Sequence, residues 1–443
     1  SESPGNARPM SRPVSAKIIA KTPASPSSET IECASKRFMR TRLAYDARVS
    51  LDREYRPVSH FTPAKNWMND PNGLVWHKGE YHLFYQHNPF GTKWGHMSWG
   101  HAVSKDLQTW EELPIAIPEG EDGSIFSGSA VSIGDEIVAI YTRDKDKLQV
   151  QCIATSTDNG RTFTKYESNP VLDLGMEHFR DPKVFRYQNH WIMAVVKAQE
   201  FLVCFYKSED LKTWTPLSEF GKVGATGGQW ECPDLFPMTI DGEEVWVLIV
   251  SLSPGGIKNT SGTQYFIGDF DGTTFTPRYS TDQPRWFDYG SHNYAGVTFN
   301  NEPNNKRIFI GWLNSWQKKA HAETSWTGAM TIPRQLGLTK VDGEIVLTQQ
   351  PICESLYEFK VAAPTSGIVG LQGFVKLGYN ADTKMIFVDD YVAPYEAKSG
   401  QLHLKVVVDQ SSVELFTADG TRCITLAVFP PAGTSRDLTT FGL

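Results

Sequence analysis

The chain has 443 residues, of which 40% are apolar and 21% charged, so it is globular and long enough for two or three domains or one large repeat architecture. Its 43 basic and 50 acidic residues leave a net charge of −7, which argues against nucleic acid or another polyanion as partner. No run of 18 apolar residues exists to span a membrane, and six cysteines without ligand spacing point to neither a zinc site nor a dense disulfide framework, although one or two bridges remain open.

Residues 1–54 read as a disordered or extended N-terminal tail. The first 35 or so are rich in Ser, Pro and Ala, most plainly at Thr22-Pro23-Ala24-Ser25-Pro26-Ser27-Ser28, and lack hydrophobic periodicity. Residues 36–54 carry Arg, Lys and Asp with few apolar positions, which fits a short helix or an extended arm. No charged and apolar leader opens the chain, so a signal peptide is either removed or was never present. From Tyr55 the texture becomes all-β. Short runs such as Tyr81-His82-Leu83-Phe84-Tyr85, Ile137-Val138-Ala139-Ile140-Tyr141 and Val245-Trp246-Val247-Leu248-Ile249 are separated by Gly, Asp and Asn turns.

A repeat organises this body. Ser104-Lys105-Asp106-Leu107-Gln108-Thr109-Trp110 and Ser208-Glu209-Asp210-Leu211-Lys212-Thr213-Trp214 share the pattern Ser-x-Asp-Leu-x-Thr-Trp, with looser copies ending at Phe163 and Phe275. A spacing of roughly 50–60 residues in an all-β chain implies propeller blades of four strands, and the count is five. The expected propeller spans 55–345. Past it, residues 346–443 form a second β unit, hinged near Pro351–Glu354 and short for a sandwich.

Equivalent positions of successive blades ring the central axis. Ser127, Asp181, Glu231 and Asp288 each follow a closing aromatic at a similar offset, and Asp70, in Trp67-Met68-Asn69-Asp70-Pro71-Asn72-Gly73, occupies the same slot of the first blade. Several carboxylates in one cleft suit glycoside hydrolysis, one attacking the anomeric carbon and another protonating the leaving oxygen. Glu231 is the natural proton donor, because a Glu carboxyl starts higher than that of Asp. Arg180 is expected to hold its neighbour Asp181 ionised. No phosphate loop, GxSxG or HExxH is present, and His87, His96 and His101 have packing rather than ligand spacing, so no cofactor and no metal is expected.

Four stretches carry a resemblance: Trp67-Met68-Asn69-Asp70-Pro71-Asn72-Gly73, Phe126-Ser127-Gly128-Ser129-Ala130, Phe179-Arg180-Asp181-Pro182-Lys183 and Trp230-Glu231-Cys232-Pro233-Asp234. Together they resemble the β-fructofuranosidases of glycoside hydrolase family 32, which includes invertases, exo-inulinases and levanases. The resemblance implies a five-bladed β-propeller followed by a C-terminal β-sandwich, which is shortened here. It implies a retaining mechanism with Asp70 as nucleophile, Asp181 as transition-state stabiliser and Glu231 as acid/base. With those roles a bell-shaped rate profile is expected, with a low-pKa Asp70 on its acid side. It places Asn69, Gln86, Trp94, Phe126, Ser127, Arg180 and Trp312 in a fructosyl pocket, with Asp288 as a further member. Sucrose or a fructan is the implied substrate, and secretion the implied location. The stretches Pro89–His96 and Trp99–Leu107 resemble levanase and exo-inulinase versions more than plant-type invertases. A fructosyltransferase, differing only in acceptor, and a catalytically silent fructan-binding protein are the competing readings.

Overall fold

A computed structural model describes residues 28–362 and 368–441. Ser28–Tyr55 is an α-helix, which selects the helical alternative over the extended arm for residues 36–54 and starts it earlier, at Ser28, while the disorder expected for residues 1–27 falls outside the described residues. Its Glu, Lys, Arg, Ala and Leu are good helix formers with no Gly or Pro, and Pro57 forbids continuation. Met39, Leu43 and Tyr45 are all exposed, so no apolar stripe signals the helix in sequence. Residues up to Ala47 and residues from Arg48 onward are separate units, and the second holds both β domains. Among the described residues no helix is long and apolar enough to cross a membrane.

Five antiparallel sheets form the propeller. Their first strands are Asn66–His77, Ser124–Ile133, Phe179–Tyr187, Gln229–Ile240 and Tyr294–Thr298, opening blades I to V. These strands touch one another in order, and the fifth returns to the first, so they line the axis. The ring is latched by Trp326–Thr327, which pairs in parallel with Asn66 and Trp67 of blade I. The outer strand of blade V runs Glu344–Pro351, paired in full with Arg334–Val341, so the propeller ends at Pro351 rather than at 345.

The repeated Ser-x-Asp-Leu-x-Thr-Trp is the turn before the outer strands of blades I and III, Glu111–Ile117 and Thr215–Gly221. Ser104 Oγ accepts from Leu107 N at 2.8 Å, and Asp106 Oδ1 from Gln108 N and Thr109 N at 2.9 and 2.7 Å. Ser208 and Asp210 repeat the geometry in blade III. Both Leu107 and Leu211 have φ of 66°, and the short side-chain acceptors on either side are what hold the left-handed turn.

A second shared feature sits at the other end of each inner strand. In all five blades the inner strand carries one residue more than its partner, between Met68 and Pro71, Ile125 and Gly128, Arg180 and Lys183, Glu231 and Asp234, and Tyr294 and Val297. Such bulges bend the strand and re-aim side chains. Here they turn polar groups toward the mouth of the channel.

The C-terminal domain is a sandwich. One sheet has four strands, Tyr357–Ala362, Gln401–Asp409, Ser412–Thr417 and Cys423–Ala427, and the other, among the described residues, has five, closed by Thr439–Phe441. Leu377, Tyr379, Ile386 and Val388 meet Leu404, Val406, Val413 and Leu415 between them, so two full layers share one core despite the brevity of the domain. A buried ionic row joins it to the propeller: Arg334 bonds Glu414 at 2.7 Å and Asp288 at 3.2 Å, and His60 bonds Asp409 at 2.8 Å and Glu414.

Candidate active site

The bulges of blades I to IV converge on a cavity of about 420 Å³ at one end of the channel. Asn69, Asp70, Gln86, Trp94, Phe126, Ser127, Arg180, Asp181 and Glu231 all line it, so nine of the expected residues meet although they are scattered over more than 160 positions of chain.

Asp70 is held from both sides. Asn69 Nδ2 donates to its Oδ1 at 3.0 Å and Ser127 Oγ to its Oδ2 at 2.6 Å, while Trp67 Nε1 fixes Asn69 by donating to its Oδ1 at 2.7 Å. Asp181 sits in the left-handed region, φ 66°, and its Oδ2 accepts from Cys232 N at 2.9 Å. Cys232 Sγ lies 3.5 Å from Asp181 Oδ2 and 3.6 Å from Asp70 Oδ2, a thiol donor bridging the two aspartates. Cys232, like Cys152, Cys204, Cys353 and Cys423, is a free thiol.

Arg180 does not pair with its neighbour Asp181. Its Nη2 and Nε reach Glu231 Oε1 at 2.9 and 3.3 Å, and Nη1 reaches Gln149 at 3.3 Å. The reason is the bulge itself: Arg180 and Glu231 occupy the same register position on adjacent strands, so their side chains run side by side. Tyr294, at that position on blade V, donates its hydroxyl to Glu231 Oε2. Burial is the largest influence on Asp181 and raises its pKa; Arg180 lowers it, but Glu231 and Asp70 add negative charge that raises it further.

Asp70 is likewise not a low-pKa carboxyl. Burial, then the charge of Glu231, push it up to about 6, while the donors Ser127, Asn69 and Cys232 pull the other way. Tyr294 is raised well above its ordinary value by burial and by Glu231, so its hydroxyl stays a donor.

Two expected residues lie elsewhere. Trp312 is fully buried behind the wall, its ring 4.9 Å from Trp316 and 6.0 Å from Trp67, and Trp316 takes the place at the cavity surface, stacked on Trp67 at 5.9 Å. Asp288 precedes blade V and faces the sandwich, where its Oδ1 accepts from Thr425 N at 2.9 Å and Gly290 N at 2.8 Å. Its offset from Phe275 is shorter than that of its supposed equivalents, and the inner strand starts only at Tyr294. Tyr294, Trp316, Gln149 and Gln229 were not singled out in sequence; the offset of the earlier blades carried past Phe275 ends at His292 or Asn293, just short of Tyr294, where the blade V strand starts.

The rim is polar. Asp144 lies just before, and Lys147 within, the tight hairpin turn Asp146–Lys147 of blade II, where both turn residues have positive φ, and Glu177 and His178 precede blade III. Trp94 is 50% exposed and meets Phe126 edge-on at 6.1 Å, giving an aromatic platform at the opening. Among the described residues no group of three or more His, Cys, Asp or Glu is arranged to hold a metal ion.

Comparison with known proteins returns one family over nearly the whole body. The "Glycosyl hydrolases family 32 N-terminal domain" matches residues 60–351 and the "Glycosyl hydrolases family 32 C terminal" matches 358–442. A levanase of Bacillus subtilis is 40% identical over 86% of this chain and 67% of its own length. An extracellular exo-inulinase of Aspergillus ficuum is 35% identical over 86% of this chain and 90% of its own. Among solved structures, a variant fructofuranosidase of Schwanniomyces occidentalis complexed with fructosylnystose superposes with a TM-score of 0.79 at 30% identity, covering 88% of this chain and 95% of that one.

Proposed function

The chain belongs to glycosyl hydrolase family 32 and is a glycosidase of the β-fructofuranosidase and exo-fructanase type, and from that premise we propose that it releases terminal β-D-fructose from fructans and sucrose with retention. Asp70 attacks the anomeric carbon as the glycosidic bond breaks, and Glu231 gives its proton to the departing oxygen. Water, deprotonated by Glu231, then releases fructose from Asp70, which regenerates both groups. Asp181 faces the cationic transition state.

The observation that carries this reading is the convergence of three carboxylates from three blades, each with its own partners: Asp70 on Asn69 and Ser127, Asp181 on the Cys232 amide, Glu231 between Arg180 and Tyr294. The polar donors around Asp70 favour its anion, and the aromatic platform of Trp94 and Phe126 suits a sugar face. Similarity to a levanase and to extracellular exo-inulinases supports fructan as the principal substrate, sucrose as a second one, and a location outside the cell.

The test is a product profile on sucrose, inulin and levan, run side by side for the wild type and Asp70→Asn. Fructose should be the main product, and the variant should lose on the order of 10⁴-fold or more in kcat while still binding substrate. Fructosyl-oligosaccharides as main products would make the protein a transferase, and binding without any product would make it a silent fructan-binding protein.

A further inference from the structure

Four or five residues beyond the bulges, the inner strands of blades II to V open onto a second cavity of about 280 Å³ at the far end of the channel. Its wall is cationic, although the chain as a whole carries −7. Arg186, Lys306 and Arg307 line it, with Phe236 and Phe299 as apolar wall. The Arg307 guanidinium stands 4.7 Å from the centroid of Phe236, and that of Arg186 is 4.8 Å from Trp191.

None of the three cations has an ion-pair partner among the described residues. Arg307 makes one hydrogen bond, from Nη1 to Thr298 Oγ1 at 3.3 Å, and leaves the rest of its donor fork unused. Glu302 is the one carboxylate in the lining, and it is already engaged: Oε1 accepts from Tyr81 at 3.1 Å, and Oε2 from Asn304 N and Lys306 N at 2.8 and 2.7 Å. Asp234, deeper on the axis, is taken by Thr298 N at 2.7 Å and Thr298 Oγ1 at 2.8 Å, and lies 3.5 Å from Lys183. Arg186 and Lys306 are exposed and Arg307 is half-buried, so all three charges are open to a multivalent anion that enters the recess.

We propose that this axial cavity is a binding site for a small multivalent oxyanion of the phosphate or sulfate class, free or as an ester. Guanidinium forks match tetrahedral oxyanions in geometry as well as charge, and Lys306 adds a point charge. The volume accommodates the anion with several waters, each occupying about 30 Å³. The site is independent of the carboxylate cleft, which lies at the other end of the inner strands.

Isothermal titration of the full chain with inorganic phosphate, sulfate, fructose 6-phosphate and, at matched ionic strength, chloride tests this. Saturable one-to-one binding of phosphate or sulfate, absent with chloride, is expected. The ester separates the sources: competition between it and phosphate identifies a site open to phosphate esters, and binding of the inorganic ions alone identifies one for the free oxyanion. Arg186→Gln combined with Lys306→Gln changes two exposed side chains far from the carboxylate cleft and gives up only the contact of Arg186 with the Trp191 ring, so the variant should fold and hydrolyse sucrose as the wild type does. Its affinity for the anion should fall about tenfold or more, the loss expected for removing charge-assisted contacts. Equal heats from chloride, or unchanged affinity in the double variant, would overturn the assignment.

Discussion

Tyr294 and Arg180 divide the two oxygens of Glu231 between them, the tyrosine hydroxyl on Oε2 and the guanidinium on Oε1 at 2.9 Å. With both oxygens engaged, Glu231 has a fixed rotamer from which to deliver a proton. Removing only the hydroxyl, by Tyr294→Phe, should lower kcat on sucrose roughly 10- to 100-fold, the worth of a hydrogen bond to a charged group. An aryl fructoside with a good leaving group needs less protonation and should suffer less. Equal losses on both substrates would reduce Tyr294 to a packing residue.

The acid limb of kcat/KM follows from Asp70. Its carboxyl must be ionised to attack, and burial together with the charge of Glu231 raises it to about 6. Activity should therefore fall as pH drops through about 6, instead of persisting to the pH of an ordinary aspartate. Ser127 favours the anion by donating to Oδ2 at 2.6 Å, so Ser127→Ala should move the limb to higher pH. A profile that stays flat down to about pH 4, or a limb that does not move in the variant, would count against Asp70 as the titrating group.

How far the site was legible depends on the bulges. Residue offsets from each closing aromatic locate the bulged segment in blades I to IV, but the extra residue hides which position is equivalent to which. By strand register Arg180, Glu231 and Tyr294 are one set, Asn69, Phe126, Asp181 and Cys232 a second, and Asp70 and Ser127 a third. The apparent single slot of Asp70, Ser127, Asp181 and Glu231 is therefore three neighbouring positions. Trp316 and Gln149 stand in no repeated pattern, so only the folded chain brings them to the cavity. The Ser-x-Asp-Leu-x-Thr-Trp repeat was plain because its side chains bond their own backbone, and local chemistry is written locally. The helix at Ser28–Tyr55 was legible only as one of two alternatives for residues 36–54, since Met39, Leu43 and Tyr45 are exposed and form no buried stripe, and propensity alone distinguishes it.

Asp288 separates the sequence reading from the folded arrangement by experiment. It is buried between Arg334, Asn293 and Thr425, away from the cavity. Asp288→Ala leaves Arg334 short of a buried counter-charge and should cost about 3–5 kcal/mol in urea unfolding. At temperatures where the variant is folded, its KM for sucrose should match that of the wild type. A raised KM with stability intact would return Asp288 to the sugar pocket.

His60 makes the union of propeller and sandwich pH-dependent. Its ring is buried between Asp409 at 2.8 Å and Glu414. Burial alone would lower its pKa, but the charges of Glu414 and Asp409 outweigh it and raise the folded value to about 10. An unfolded histidine titrates near 6.5, so this group stabilises the fold in full below about pH 6.5 and ceases to do so as pH rises through about 10. Wild-type stability to urea should decline across that interval. In His60→Gln the part of the decline due to this ring should vanish, and at pH 6 the variant should be less stable by about 3–5 kcal/mol, as for a buried ion pair with one partner removed. Parallel curves for the two proteins from pH 6 to 10 would show that His60 is neutral in the fold, and that Arg334 alone balances Glu414 at this junction.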